Sequence, residues 1–415
     1  MNRLFVFMLF LSCTPLLHAQ KKIYIPEDLR GMDLQADTSK WSFKRSVQTD
    51  DLIFMWERGF GQDTFNPPML DGHPMSFNLN NLIDCVQHFY TFFRDTLEFS
   101  KPGSKCDEYK MMVMVNYSLD GTAYGGTYDN FIGALWVAPN RIQDEKMNCM
   151  AHELGHSFQL QIPADSVGDA WGGSGFFEMT SQWMLWQVNP DWLTDENYHF
   201  EAFKKLTHKA YLHLDNIYHS PFVIQWWSDL RGRKSIAELY RQGRIGEDPV
   251  MTYKHMYGLT QQQFCDEMFR GYQHLVNFDY KHAMKETRKY ACTFNTEVEN
   301  QNNWMRPKDY PEEYGFNAIL LDDKVNLKAK HFDLSIKGDN LRYGFVGVDT
   351  DGKSFYSPIN ATTFETPKGN HLAHLYLIVM GAPMKHYQIP MPTEENPDPK
   401  AELQQFPYTF CITAR

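Results

Sequence analysis

The residues with the clearest chemistry in this chain are His152 and His156, four apart, with Glu153 directly after the first, in the stretch Ala151-His-Glu-Leu-Gly-His-Ser-Phe158. On a helix, residues i and i+4 share one face about a turn apart. Both imidazoles can then bind one tetrahedral ion while the carboxylate between them reaches a water beside it. The spacing predicts one Zn2+ ion, with Glu153 as general base of a hydrolytic reaction. The competing reading is two solvated histidines on a polar helix face. Against it, Met147, Met150, Leu154 and Phe158 give the same helix an apolar face, which turns the histidines away from the core or into a cleft.

A hydrolytic zinc site needs a third protein ligand and an open fourth position. The metzincin pattern would put a histidine six residues after His156, but residue 162 is Ile, which excludes that class. Two carboxylates compete for the place. Asp169 lies in a glycine-flanked loop, and Glu178 lies in a stretch whose apolar periodicity (Phe177, Thr180, Trp183, Met184) predicts a second helix. A carboxylate on a helix packed against the motif helix is held rigidly, which favours Glu178, with Asp169 as the rival.

On these residues the segment from about 109 to 190 resembles the gluzincins, the thermolysin-like zinc peptidases in which HExxH is followed by a distant Glu on the next helix. The resemblance is carried by His152, Glu153, His156 and Glu178. It implies His152, His156 and Glu178 as ligands and Glu153 as general base. One departure stands out: the class often carries an Asp four residues after the third ligand to buttress a zinc histidine, and residue 182 here is Gln. Gln182 or Ser181 is expected to accept that imidazole proton instead. The chain also resembles exported bacterial zincin-like proteins of unassigned function, in which an HELGH helix, an aromatic-rich Glu helix, a helical region and a β-sandwich follow in this order. That likeness implies architecture and no activity.

The elements that must position these residues are legible in outline. Asn78 to Phe99 has helical periodicity through Leu82, Val86, Phe89 and Phe93. Asp50 to Phe60, Tyr109 to Tyr117 and Phe131 to Ala138 read as strands, with Gly125-Gly126 as a glycine-rich crossing. The strand from Phe131 to Ala138 is either an edge to which an extended peptide adds or an interior strand. Asn140 and Gln143 fit a capping box opening the motif helix, which Pro163 ends. Helices dominate from about His199 to Ala283, one of them opened by a capping box at Thr260 and Gln263. After Asn300 alternation takes over: Val325 to Lys337, Tyr343 to Val348, Leu372 to Met380 and Tyr408 to Thr413 read as strands, and Asp349-Thr-Asp-Gly352 as a hairpin turn. That turn superficially suggests a calcium loop, but its twelfth position is Asn360, not Glu.

Length and composition fit an exported enzyme. The chain has 415 residues, 43 % hydrophobic and 22 % charged, so it is globular and long enough for more than one core. A formal charge of −11 argues against nucleic acid as a partner. One basic residue, a short apolar run and a small residue at Ala19 read as a signal peptide cleaved there, preferred over lipidation at Cys13, and no later stretch has the apolar length of a transmembrane helix. Six cysteines would remain, none in a CxxC pair; Cys85 with Cys106 and Cys265 with Cys292 are close enough to suspect as disulfides.

A transition-state donor is also needed, and Tyr198, His199, Tyr218 and His219 are the candidates. Cys149, one turn before His152, reads as a small wall residue. Trp171, Trp183, Trp186, Trp226 and Trp227 read as core, with a cleft lining as the alternative. The fold class expected is α+β: a signal peptide (1–19), an extended lead-in (20–50), a zincin-like catalytic domain (51–298) with a helical subdomain from about 199, a linker (299–315) and a β-sandwich (316–415). The function expected is a secreted zinc peptidase acting on proteins or peptides, glycosylated ones included. Two alternatives stay open: a zincin-fold binding protein without proteolytic activity, and a zinc hydrolase acting on a glycan-linked bond. Sequence leaves the oligomeric state and the role of the sandwich open.

Overall fold

The computed structural model describes residues 20–168, 171, 175–282, 285–390, 396 and 403–415. The expected signal peptide, Cys13 and Asp169 lie outside the described residues. The chain is an α+β protein. Strands β1 (Ser46–Gln48), β2 (Leu52–Trp56), β3 (Met111–Val115), β4 (Ala123–Tyr128) and β5 (Ile132–Val137) form one sheet in the order β1-β2-β3-β5-β4. The central strands β2, β3 and β5 run parallel. β2 and β3 are buried at every position, which explains why they read as unbroken apolar runs with no alternation.

The connection from β2 to β3 carries helix α1 (Leu79–Thr91), capped by Asn78, whose side chain accepts from the Asn81 N–H at 3.1 Å. It passes into a π-helical turn at Phe92–Thr96, so the long helix expected there is shorter and ends differently. Gly125-Gly126 lie inside β4, not in a crossing. β4 takes the sheet edge and leaves β5 interior, which decides between the two positions open for the strand from Phe131 to Ala138. The two adjacent glycines, with the exposed Tyr124 before them, hide the strand character of β4 in the sequence.

Helix α2 (Asn148–Ala164) carries the motif and crosses this sheet. Its Ser157 hydroxyl donates to the Ala134 carbonyl at 2.8 Å, and the Gly133 N–H donates to Gln161 Oε1 at 2.8 Å, so β5 and α2 are bolted together. The approach to β4 is closer still. A Cβ on Gly125 would lie 1.8 Å from the Glu153 carbonyl oxygen, and backbone cannot give way as a side-chain tip can. Gly125→Ala should therefore cost about 1–3 kcal/mol or more of stability, read from chemical denaturation midpoints. The start of α2 differs from the sequence expectation. Asn140 and Gln143 do not cap it: Gln143 Nε2 donates to the Ser76 and Pro139 carbonyls, and the helix begins seven residues beyond Arg141, after Met147 in the left-handed region (φ 53°).

The helices that follow are α3 (Phe176–Val188), α4 (Trp192–Asp195), α5 (Asn197–Leu206), α6 (Phe222–Arg231), α7 (Lys234–Gln242), α8 (Pro249–Tyr257) and α9 (Gln261–Leu275). The capping box of α9 forms as expected between Thr260 and Gln263. Gly155 lets α3 lie close on α2, since a Cβ there would meet Ser181 Oγ at 2.7 Å and its Cα at 3.3 Å. Among the described residues no helix is long and apolar enough to cross a membrane.

The stretch expected as a linker contains a hairpin. Strands β6 (Val298–Gln301) and β7 (Trp304–Pro307) are joined by Asn302-Asn303, both at positive φ, a conformation asparagine tolerates and a two-residue hairpin requires. Then come β8 (Phe316–Leu320), β9 (His331–Lys337), β10 (Leu341–Asp349), β11 (Ser354–Tyr356), β12 (Thr363–Glu365), β13 (Leu372–Gly381) and β14 (Thr409–Ala414). They make two sheets, β11-β10-β13-β8 and β12-β9-β14-β7-β6. Leu375, Leu377 and Val379 of β13 pack with Phe332, Leu334 and Phe410 of the second sheet. The alternate residues Tyr376, Ile378 and Met380 join the large core built by the helices and the first sheet. The sheet containing β13 is thus covered on both faces, and α9 is tied to it through Gln273, whose Nε2 donates to the Phe345 and Ser357 carbonyls. The Asp349-to-Gly352 turn closes β10 on β11, with the Gly352 N–H donating to the Asp349 carbonyl.

All six described cysteines are free. The two suspected disulfides do not form because their thiols face different elements: Cys85 turns to Asn81 Oδ1, Cys265 to the Pro383 carbonyl and Cys292 to Asn277 Oδ1.

Candidate metal centre

His152 and His156 project from successive turns of α2, and Glu178 from the first turn of α3. The close approach at Gly155 brings the two helices near enough for their side chains to converge. His152 Nε2 lies 3.1 Å from Glu178 Oε2, His156 Nε2 lies 3.2 Å from the same oxygen, and the two Nε2 atoms are 3.1 Å apart. Ligand atoms about 2.0–2.1 Å from a tetrahedral zinc stand roughly 3.3–3.4 Å from one another. The triangle is therefore the size of one face of such a coordination sphere. Its chemistry fits too, since two imidazole nitrogens and a carboxylate oxygen turned on one point are balanced by a cation. Among the described residues this is the one group of His, Cys, Asp and Glu side chains so arranged.

Electrostatics act in the same sense. Burial works against charge on Glu178, but hydrogen bonds from His152 and His156 outweigh it and hold the carboxyl well below the usual carboxylate range. Burial likewise opposes charge on His156, and the Glu178 carboxylate reverses it, so the imidazole pKa rises. The site holds an anion ready and attracts positive charge.

A buried glutamine orients one of the imidazoles. Gln159 Nε2 donates to the Phe177 carbonyl at 3.1 Å and to Ser181 Oγ at 3.2 Å, which leaves Oε1 facing His156 Nδ1 at 3.1 Å. An acceptor there holds a proton on Nδ1, so Nε2 is the nitrogen whose lone pair would bind a metal in place of its hydrogen bond to Glu178. The role expected of Gln182 or Ser181 falls to Gln159, with Ser181 one step behind it. Gln182 instead donates to the Tyr218 carbonyl at 3.2 Å and abuts His199 Nε2. Gln159→Leu should weaken zinc binding about 10- to 100-fold with the fold retained, measured by competition against a chelator.

The triangle opens into a cavity of about 720 Å3 whose wall includes Glu153, Cys149, Tyr124, Tyr198, His199 and Tyr218. The Glu153 carboxylate belongs to this wall and stands outside the triangle. Among the four candidate donors, Tyr218 stacks beside His152, with ring centroids 6.3 Å apart and 27° between planes. Burial, followed by the charge of Glu178, pushes its phenol up to about 12, so the hydroxyl stays protonated at neutral pH. Tyr198 is 65 % exposed at the rim. His199 is buried, its Nδ1 2.7 Å from His219 Nδ1, and His219 is not among the residues lining the cavity. The five tryptophans weighed for the cleft are core residues, none in this wall. Tyr124, on the edge strand, is a cavity residue that sequence reasoning missed because β4 did not read as a strand.

Fold and site together define an α+β chain with a His-His-Glu donor set shared between two packed helices. The chain belongs to the family described as "Family of unknown function (DUF6055)", whose model matches residues 16–414. No curated protein matches the sequence. Solved structures that it resembles include the ZmpB metallopeptidase from Clostridium perfringens, at 13 % identity and a TM-score of 0.34 over 82 % of this chain and 67 % of that one. Another is the M60 catalytic domain of Clostridium perfringens ZmpC in complex with the sialyl T antigen, at 12 % identity and a TM-score of 0.32 over 80 % and 65 %. A third is the catalytic module of the metalloprotease ZmpA from Clostridium perfringens, at 12 % identity and a TM-score of 0.30 over 80 % and 64 %. The chain spans about two thirds of the length of these three.

Proposed function

We propose that this chain is an exported, zinc-dependent hydrolase that cleaves peptide bonds in proteins or peptides, glycosylated ones included, in a zincin-like catalytic unit. The observation that carries the reading is the donor triangle of His152, His156 and Glu178, with edges of 3.1–3.2 Å, opening into a cavity that Glu153 also lines. Neither folding nor metal binding requires a carboxylate at 153, so its presence there favours an enzyme over a binding module.

Zinc held by the three ligands supplies Lewis acidity, which polarises a carbonyl and acidifies a nearby water. The rest falls to the protein. Glu153 takes the proton of the attacking water on a carboxylate oxygen and returns it to the leaving nitrogen as the C–N bond breaks. The Tyr218 hydroxyl donates to the oxyanion that develops on the former carbonyl oxygen. The free edge of β4, whose Ala123, Tyr124 and Gly125 border the cavity, lies where an extended chain can add as a further strand.

The direct test is digestion of a protein mixture by the zinc-loaded chain, with fragments read by mass spectrometry. Cleavage that chelation abolishes and added zinc restores supports the reading; zinc bound at one per chain with no fragment produced sinks it. Tyr218→Phe should lower kcat about 10²- to 10³-fold at unchanged zinc content. The hydroxyl must be protonated to donate, so its contribution is present below its pKa and lost as pH rises through about 12. A kcat–pH profile should accordingly show no Tyr218-dependent fall between pH 7 and about 10.

A further inference from the structure

The cavity that holds the donor triangle has one lysine or arginine among its described lining residues, Arg141. It ends the short 3-10 turn Pro139–Arg141 directly after β5, so its backbone is anchored to the sheet. Three carboxylates share the cavity with it. Glu178 belongs to the triangle. Glu196 is occupied by Asn148 Nδ2 at 3.1 Å, Trp192 Nε1 at 3.0 Å and His199 Nε2 at 3.5 Å. Glu153 is the remaining one, and among the described residues Arg141 forms an ion pair with none of them.

The groups facing Arg141 are the Cys149 thiol, the Glu153 carboxylate and the Tyr198 phenol. Burial pushes the Cys149 thiol up to about 11 and raises the Tyr198 phenol, so both stay neutral at pH 7. In a chain with a formal charge of −11, this leaves a guanidinium on the wall of the cavity that Glu153 faces without closing an ion pair. A guanidinium presents a planar fork of donors that matches a carboxylate bidentately and selects it over a neutral amide.

We propose that Arg141 is the specificity-determining residue of this site and receives a carboxylate of the substrate. The peptides cut would then carry an acidic side chain, or their own C-terminal carboxylate, beside the scissile bond. The inference rests on the hydrolase reading above. Arg141 also faces Glu153, so a change at 141 that acts on the base slows every substrate alike, whereas a change in substrate recognition alters the ratio between acidic and neutral substrates.

The test therefore reads ratios. Peptides identical except for Glu, Gln or Lys at each position around the cut are prepared with free and with amidated C-termini, and kcat/KM is measured for wild type, Arg141→Met and Arg141→Glu. Wild type should favour the carboxylate-bearing member of a Glu/Gln or free/amidated pair about ten- to a hundredfold, the scale of a charge-assisted hydrogen bond. The Glu/Gln arm identifies a side-chain carboxylate and the free/amidated arm a terminal one. In Arg141→Met the ratio should fall to near one, and Arg141→Glu should favour Lys. Equal rates for both members in wild type, or a ratio that survives in Arg141→Met, overturns the proposal and leaves the hydrolase reading intact. If no peptide is cut, the hydrolase reading falls. Binding of the same peptides to the zinc-loaded Glu153→Gln protein, by fluorescence anisotropy, then decides the matter: a tenfold preference for the carboxylate that Arg141→Met removes supports the role of Arg141, and its absence refutes it.

Discussion

Glu153→Gln is expected to lower kcat for peptide cleavage about 10²- to 10⁴-fold while zinc stays bound at the wild-type stoichiometry. The substitution keeps the shape of the side chain and removes its ability to take a proton. Glu153 stands outside the donor triangle and meets β4 at Gly125 through its backbone, which the substitution leaves unaltered, so neither the metal nor the helix contact should change. Atomic emission for zinc and single-turnover kinetics measure the two halves of the expectation. Retained cleavage would move the base to another residue. Lost zinc would make Glu153 a ligand.

Glu178→Ala should raise the zinc dissociation constant by well over a hundredfold, since removing a ligand exceeds the 10- to 100-fold effect of an outer partner. Two histidines from one helix leave the ion with half a coordination sphere, and the convergence of α2 and α3 loses the group on which both imidazoles close. The contrast is Asp169→Ala, in which zinc should be retained. Chelator competition on both variants assigns the third ligand, and release from Asp169→Ala in place of Glu178→Ala would reverse it. Circular dichroism separates metal loss from unfolding.

The features of the site that are local in sequence were legible there, and those made by packing were not. The i, i+4 histidines, the apolar periodicity around Glu178 and the capping box at Thr260 are each written within a turn or two of helix. Gln159 is also local, three residues after His156, but nothing around it distinguishes a buried glutamine from a surface one; only the Phe177 carbonyl and Ser181 beyond it give it a role. The edge position of β4 was hidden because its glycines read as a turn, although Gly125 is there to admit the backbone of α2. The start of α2 escaped for a similar reason. A left-handed methionine with no side-chain cap leaves no signature in the sequence, while Asn140 and Gln143 imitate a signature that the structure uses elsewhere. Asn300 to Asn303 looked like a linker because its polar residues are those of a tight hairpin on an exposed edge.

The sheet that contains β13 has a consequence for how the molecule can be divided. Its two faces belong to two different cores, so it acts as a party wall. Cutting the chain before β8 would strip the helices of Phe316, Ala318, Ile378 and Met380 and leave an apolar face open to water, while the excised sandwich would bare the opposite side of the same strands. The two halves are therefore bound to rise and fall together as one cooperative unit. Truncating the C-terminal hundred residues should therefore cost the metal centre its fold, although none of the described ones lines its cavity.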